Sequence, residues 1–213
     1  MLTNEELEKI VQPYTMACGD QVRQYIPLAR RIEEEGIPGD MVECGVWNGG
    51  LGAVLAHFAA NSKFNRKVWL FDSFEGLPTP TKEDLPQPNG VTAESCVGSC
   101  KGSVDAVKEV LQKVGADMAK VNIHAGWFKD TLPTVAVPQI AMLSLDSDWY
   151  ESERVCLEKF YDAIVPGGFI YFDDFYLWPG CQKAALEFFH KQGKQPIYNN
   201  LSDHSAWVQK GAK

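Results

Sequence analysis

Apolar positions along this chain fall into short, nearly unbroken runs that alternate with stretches of helical spacing. The strand-like runs are Met41–Gly45, Lys67–Asp72, Lys120–Ala125, Ile140–Asp146 and Gly168–Asp173. Helix-like runs between or after them are Leu51–Ala60, Ser103–Val114, Tyr150–Ile164 and Gly180–Gln192. Such alternation predicts right-handed crossovers and a parallel sheet covered on both faces. The nearly continuous apolarity of the strands agrees, because a doubly covered strand has no solvent face. The end of the chain breaks the rhythm: Gln195–Leu201 and Ala206–Lys210 are separated only by Ser202-Asp203-His204-Ser205, which predicts a hairpin.

Five parallel strands closed by an antiparallel hairpin form the seven-stranded layout of the class I methyltransferase (Rossmann-like) sheet. Dinucleotide folds normally end in another parallel strand. Residues 1–39 precede this unit and carry two helical segments, Asn4–Val11 and Gln21–Glu35, with Pro27 bending the second or falling in its first turn. Gly36-Ile37-Pro38-Gly39 ends it. This segment is expected to cover the end of the sheet or to form a contact between copies, as in a homodimer. Residues 40–213 form the main domain. Its connection Ser73–Gly102 is rich in proline and glycine and lacks periodicity, so a substrate lid is favoured over a plain insertion.

Composition narrows the function classes. A net charge of -8 without a basic cluster argues against a nucleic-acid partner. No apolar run approaches membrane-spanning length and no signal-peptide pattern opens the chain, which points to the cytoplasm. The six cysteines are scattered, and reduced thiols are the default. Cys96 and Cys100 lack the paired spacing of a zinc site.

The chemistry centres on Asp40-Met41-Val42-Glu43-Cys44-Gly45-Val46-Trp47-Asn48-Gly49-Gly50. Glycines at a strand-to-helix turn let the backbone approach a ligand closely. Val46 and Trp47 stand where a dinucleotide fingerprint needs a second glycine, and no phosphate loop occurs anywhere. Glu43, two residues before the glycine, suits a cationic ligand better than a pyrophosphate. S-adenosylmethionine, with its ammonium and sulfonium, fits; a turn that merely packs helix on strand is the alternative. Asp72, closing the second strand, can accept ribose hydroxyls or cap a turn.

Ligand crevices of open parallel sheets lie beyond the carboxyl ends of the strands. Here those ends carry Glu43, Asp72, Asp146 with Asp148, and Asp173 with Asp174. Asp146, Asp173 and Asp174 should end adjacent strands, where three carboxylates repel unless a cation holds them. Oxygen ligands mean a hard ion, Mg²⁺ or Ca²⁺; surface acids are the alternative. Among histidines, His57 and His190 read as surface or packing residues, His124 as a possible neighbour of adenosine, and His204 as a base only if the hairpin turn folds over the site. Trp47, Trp127, Trp149 and Trp178 lie near the proposed loops and serve either the acceptor or packing.

Taken together, Val42–Gly50, Phe71-Asp72-Ser73-Phe74-Glu75-Gly76-Leu77-Pro78, Gly126-Trp127-Phe128-Lys129-Asp130-Thr131-Leu132-Pro133, Leu145–Ser152, Pro166-Gly167-Gly168-Phe169, Asp173-Asp174-Phe175 and Trp178-Pro179-Gly180-Cys181 resemble the TylF/MycF macrocin O-methyltransferase family. The resemblance runs from about residue 40 to the C-terminus. It implies a class I fold, S-adenosylmethionine as donor and a divalent metal, normally Mg²⁺. It implies Asp146, Asp173 and Asp174 as metal ligands and Asp146 as the favoured base; Asp148 and His204 are further catalytic candidates by their position in the chain alone. The residues expected around the donor are Glu43, Gly45, Val46, Trp47, Asn48, Gly49, Asp72, Ser73, Gly126, Trp127 and Asp146. Such enzymes methylate hydroxyls on sugars of natural products. The chain is shorter than the antibiotic-modifying members, mostly in its N-terminal part. Trp149 stands where related catechol O-methyltransferases carry a lysine base, which disfavours a catechol or phenol acceptor. The expectation is therefore a metal-dependent O-methyltransferase acting on a small-molecule hydroxyl. A nicotinamide-dependent oxidoreductase and a non-catalytic binding module are the alternatives.

Overall fold

The computed structural model describes residues 1–84 and 92–211. Seven strands form one sheet: β1 (Asp40–Cys44), β2 (Val68–Asp72), β3 (Val121–Ala125), β4 (Ile140–Leu145), β5 (Ile164–Phe172), β6 (Asn199–Asn200) and β7 (Ala206–Gln209). Their order is β3-β2-β1-β4-β5-β7-β6. The first five pair in parallel, and β7 pairs antiparallel with both β5 and β6. Chain order reverses between β1 and β4, so the loops leaving these two strands diverge and open a crevice.

The helices are α1 (Asn4–Val11), α2 (Gly19–Glu34), α3 (Gly50–Ala60), α4 (Val104–Lys113), α5 (Phe128–Thr131), α6 (Tyr150–Phe160) and α7 (Pro179–Lys191). Alternation along the strands divides the core into two layers. Met41, Leu70, Met142, Phe169 and Tyr171 pack with α1 to α4. Val42, Cys44, Leu143, Leu145, Ile170 and Phe172 face α6 and α7 on the other side. The N-terminal helices belong to the first layer. A capping box between Thr3 and Glu6 opens α1, and buried Arg66 joins Glu33 of α2 to the carbonyls of Ile37 and Gly39 just ahead of β1.

Several boundaries differ from expectation for identifiable reasons. Pro27 sits inside α2 without ending it. β5 starts at Ile164, ahead of Pro166-Gly167-Gly168, because an irregularity in its register against β4 absorbs these residues. Only Asn199–Asn200 of the expected Gln195–Leu201 strand is paired. His57 is buried, its Nε2 accepting from the Leu2 amide and its Nδ1 lying 2.9 Å from the Val114 carbonyl, while His190 is exposed. All six cysteines are free. Among the described residues no helix is long and apolar enough to cross a membrane.

Most of the long connection after β2 is stitched down. The Leu77 amide donates to the Ser99 carbonyl and the Gly98 amide to the Leu77 carbonyl, both at 2.9 Å. Trp149 Nε1 donates to the Pro78 carbonyl at 2.9 Å, and the Tyr150 amide donates to Asp84 Oδ1 at 2.7 Å. Part of the expected lid, residues 85–91, lies outside the described residues.

Candidate active site

Gly45 leaves β1 at φ +85, and a side chain there would place Cβ 1.6 Å from the carbonyl oxygen of Asp146. Only glycine permits both the left-handed angle and the contact of the β1 and β4 ends. The turn closes with the Gly49 amide donating to the Val46 carbonyl at 2.8 Å, after which α3 begins. Asp72 braces it: Oδ2 accepts from the amides of Val46 and Trp47 at 2.7 and 2.8 Å, and Oδ1 accepts from Phe74 at 2.6 Å. The turn-capping role of Asp72 is thus realised, and three of its lone pairs are taken.

A cleft opens above this turn. Its walls include Gly45, Val46, Trp47, Asp72, Ser73, Trp127, Asp146 and Asp148, and its empty volume is about 570 Å³ counting the open mouth. Other candidates stand back from it. Asn48 Oδ1 accepts the Ser103 amide at 3.0 Å, tying the turn to the start of α4. Gly49 packs against Val107, and the Gly126 amide donates to the Asp72 carbonyl at 2.9 Å. Glu43 lies 1% exposed beneath α3, where only the missing side chain of Gly52 leaves room for its Oε2. Burial, with the charges of Asp72 and Asp173 adding, pushes its pKa well above the ordinary carboxylate range. His124 is stacked against Trp69 and Phe71 and does not line the cleft.

Backbone strain is concentrated here. Among the described residues, five other than glycine have positive φ; Trp47, Cys100 and Asp148 line the cleft, and Phe74 follows its wall residue Ser73. Bulky side chains rarely adopt this region, and it persists where surrounding structure over-determines it, commonly at functional sites.

The acids collect at the ends of β4 and β5. Carboxylate oxygens of Asp146, Asp148 and Asp174 lie within 4.8 Å of one another. Asp174 is 6% exposed and its Oδ2 has no hydrogen-bond partner. Asp173 is adjacent but separately engaged: its Oδ1 accepts from the Tyr171 hydroxyl at 2.6 Å and from Gln21 Nε2 at 2.7 Å. Two of the three expected metal acids, Asp146 and Asp174, therefore meet directly, with Asp148 beside them. Burial raises the pKa of Asp146 and Asp174 well above the ordinary value, and the neighbouring carboxylates raise them further. Burial and then the charge of Asp173 push Asp148 up to about 7, against a hydrogen bond from Trp178. Burial brings Asp173 to about 6, opposed by Tyr171, His204 and Gln21. Crowded acids that resist ionisation and a buried oxygen without a donor fit a small hard cation, whose charge reverses this penalty.

His204 is exposed in the β6–β7 turn, and its carbonyl accepts the Tyr176 amide at 2.8 Å, so this turn folds onto the segment after β5. Trp178 Nε1 donates to Asp148 Oδ1 at 3.1 Å and its ring meets Trp149 edge-on. Packing and hydrogen bonding occupy both tryptophans, whereas Trp47 and Trp127 line the cleft. Sequence reasoning missed Met16 and Gln21, which reach the site from the N-terminal segment. No local pattern marks them, since only the tertiary fold brings α2 against β5.

Sheet order, terminal hairpin and a strand-end crevice beside a glycine turn define a class I methyltransferase fold. The structure of the O-methyltransferase NovP matches it with a TM-score of 0.82 and 26% identity, over 93% of this chain and 83% of that one. The chain belongs to the macrocin O-methyltransferase (TylF) family, whose model matches residues 6–210. It is 32% identical over 170 residues to the 8-demethyl-8-(2,3-dimethoxy-alpha-L-rhamnosyl)-tetracenomycin-C 4'-O-methyltransferase of Streptomyces olivaceus, covering 79% of this chain and 64% of that protein. With the mycinamicin III 3''-O-methyltransferase of Micromonospora griseorubida it shares 34% identity over 167 residues, 75% of this chain and 63% of the relative. The chain thus spans somewhat less than two thirds of the length of these relatives.

Proposed function

We propose that this protein is an S-adenosylmethionine-dependent, Mg²⁺-assisted O-methyltransferase acting on a hydroxyl of a small natural product, a sugar hydroxyl in the first instance. The observation that carries the reading is the convergence of Asp146, Asp148 and Asp174 at the rim of a cleft floored by the Gly45 turn. Relatives named for methylating a rhamnosyl tetracenomycin and mycinamicin III support the acceptor class.

Gly45, Val46, Trp47, Ser73 and Trp127 form the donor's side of the cleft, with Asp72 holding the turn in shape. Asp146 and Asp174 are the core of the cation site, with Asp173 adjoining. When bound, the donor supplies an electrophilic methyl carbon on sulfur and the cation supplies positive charge beside the acceptor oxygen. Asp148 is the base: it lines the cleft, and one hydrogen bond from Trp178 to its Oδ1 orients the carboxylate and leaves lone pairs on both oxygens for the acceptor's proton. Met16, Leu77, Pro78 and Phe128 give the cleft an apolar wall that excludes water and orients the acceptor.

The test is transfer of labelled methyl from S-adenosylmethionine to a panel of deoxysugar glycosides, with and without chelator. Product that forms only with the metal present supports the reading. Turnover untouched by complete metal removal eliminates its Mg²⁺ part. Stabilisation by NAD but not by S-adenosylhomocysteine would replace it with a dehydrogenase.

A further inference from the structure

Asp84 is fully buried at the end of a 3-10 turn, Lys82–Asp84, in the connection after β2. Its Oδ2 accepts from the amide and the hydroxyl of Thr81 at 2.7 and 2.9 Å, which holds the turn itself together. Its Oδ1 reaches 66 residues along the chain to accept the Tyr150 amide, the first N–H of α6, at 2.7 Å. Such an amide has no acceptor within its own helix, and Trp149, in the N-cap place, supplies no side-chain cap. Asp84 supplies the cap from another part of the fold.

The same oxygen lies against the start of α7. A Cβ on Gly180 would stand 1.9 Å from Asp84 Oδ1, so the carboxylate fills the space that a side chain there would take. Trp178, the N-cap of α7, gives no side-chain cap either. A negative charge is favoured where the positive ends of two helix dipoles converge. One carboxylate thus joins a loop to two helix starts.

Those helix starts carry groups of the cleft. Asp148 precedes α6 with only Trp149 between them, and its backbone is held at φ +59. Trp178 precedes α7 and donates its indole N–H to Asp148 Oδ1 at 3.1 Å. The Trp149 indole donates to the Pro78 carbonyl at 2.9 Å and meets the Trp178 ring edge-on, with centroids 5.0 Å apart. Leu77 and Pro78 line the cleft beside Asp148. Base, its hydrogen-bond donor and one apolar wall therefore share a single anchor.

We propose that Asp84 is a positioning residue: by capping α6 and filling the gap at Gly180 it holds Asp148 and the Leu77–Pro78 wall in register for the acceptor's hydroxyl. The inference rests on the reading above, in which Asp148 takes the acceptor's proton. The donor's side is held separately, by Asp72 at the Gly45 turn, so a disturbance at Asp84 acts on the acceptor half of the cleft.

Two variants of the full chain approach the contact from opposite sides. Asp84→Ala removes the carboxylate, and Gly180→Ala drives a methyl group into it although alanine is the better helix former. Transfer to the deoxysugar glycoside that the parent methylates fastest gives kcat and KM, and calorimetry with S-adenosylhomocysteine gives the donor-site affinity. Each variant is expected to lose about tenfold or more in kcat, because a small displacement of a reacting group is costly. Donor-site affinity should stay within about twofold of the parent. The double variant should be no worse than Asp84→Ala, since the added methyl group then meets no carboxylate. Indole N–H resonances of Trp149 and Trp178 should shift in both single variants. Variants that bind S-adenosylhomocysteine like the parent and keep its kcat within about twofold would overturn the inference alone. So would a loss of donor-site affinity as large as the loss in kcat, which would make Asp84 a support of the fold in general. If Asp84→Ala does not fold, Gly180→Ala decides by the same criteria. A parent that methylates no glycoside would overturn both the inference and the reading on which it rests.

Discussion

Glu153 sits in the first turn of α6, fully buried behind the loop that carries Asp146 and Asp148. The Ser147 hydroxyl donates to its Oε2, while Oε1 lacks an N–H or O–H donor. Burial lifts its pKa from 4.5 to about 7; bonds from Ser147 and the Cys181 thiol oppose the rise and the charge of Asp148 adds to it. The sign of the effect on stability follows. Below about pH 4.5 folded and unfolded chains both keep the proton and there is no penalty. Between 4.5 and 7 the unfolded chain releases it first, so stability falls as pH rises, reaching a cost of about 3 kcal/mol above pH 7. Glu153→Gln removes this titration. The buried amide has a cost of its own, about 1 kcal/mol or more, but that cost does not vary with pH. The quantity to measure is therefore a double difference: urea unfolding of parent and variant, each at pH 5 and pH 8. The parent should lose about 2–3 kcal/mol more than the variant between the two conditions. Equal losses would show that Glu153 is ionised in the folded chain at both, and that the electrostatics derived for this corner are wrong.

Trp178→Phe removes the donor that favours the charged form of Asp148, so the acid limb of the pH–rate profile should move to higher pH by about half a unit to one unit. A limb that stays put would dismiss Asp148 as the base. Gly45→Ala places a methyl group against the Asp146 carbonyl at a left-handed backbone angle, and should cost about 2 kcal/mol or more of stability and weaken S-adenosylhomocysteine binding. A thermal melt with and without that ligand checks both, and an unchanged midpoint would contradict the close approach of the two strand ends.

How far the fold was legible depended on whether the cause was local. The strands at β1 to β4 and the helices at α1, α3, α6 and α7 carry their periodicity in the sequence, and their observed bounds differ by a residue or two, α6 closing in a 3-10 turn. The early start of β5 did not show, because Pro166 and two glycines read as a turn and only the neighbouring strand draws them into the sheet. The fragment β6 reads as a long strand by pattern, yet little of it has a partner to pair with. Near the cleft, the meeting of Asp146 and Asp174 beside the Gly45 turn was legible because strand ends of a parallel sheet converge by topology. The separate engagement of Asp173 was not, since it requires Gln21, whose place opposite β5 is set by the packing of Tyr25 on Tyr171. The tryptophans divided in the same way: Trp47 and Trp127 line the cleft, and Trp149 and Trp178 are held by partners distant in sequence.

The most direct test of the acid cluster as a cation site is calorimetric titration of Mg²⁺ into the protein and into its Asp174→Asn form, both saturated with S-adenosylhomocysteine. One site in the parent, weakened about tenfold or more in the variant, is the predicted result. A parent that takes up no Mg²⁺ at about 10 mM, or a variant that binds it equally well, would contradict the account.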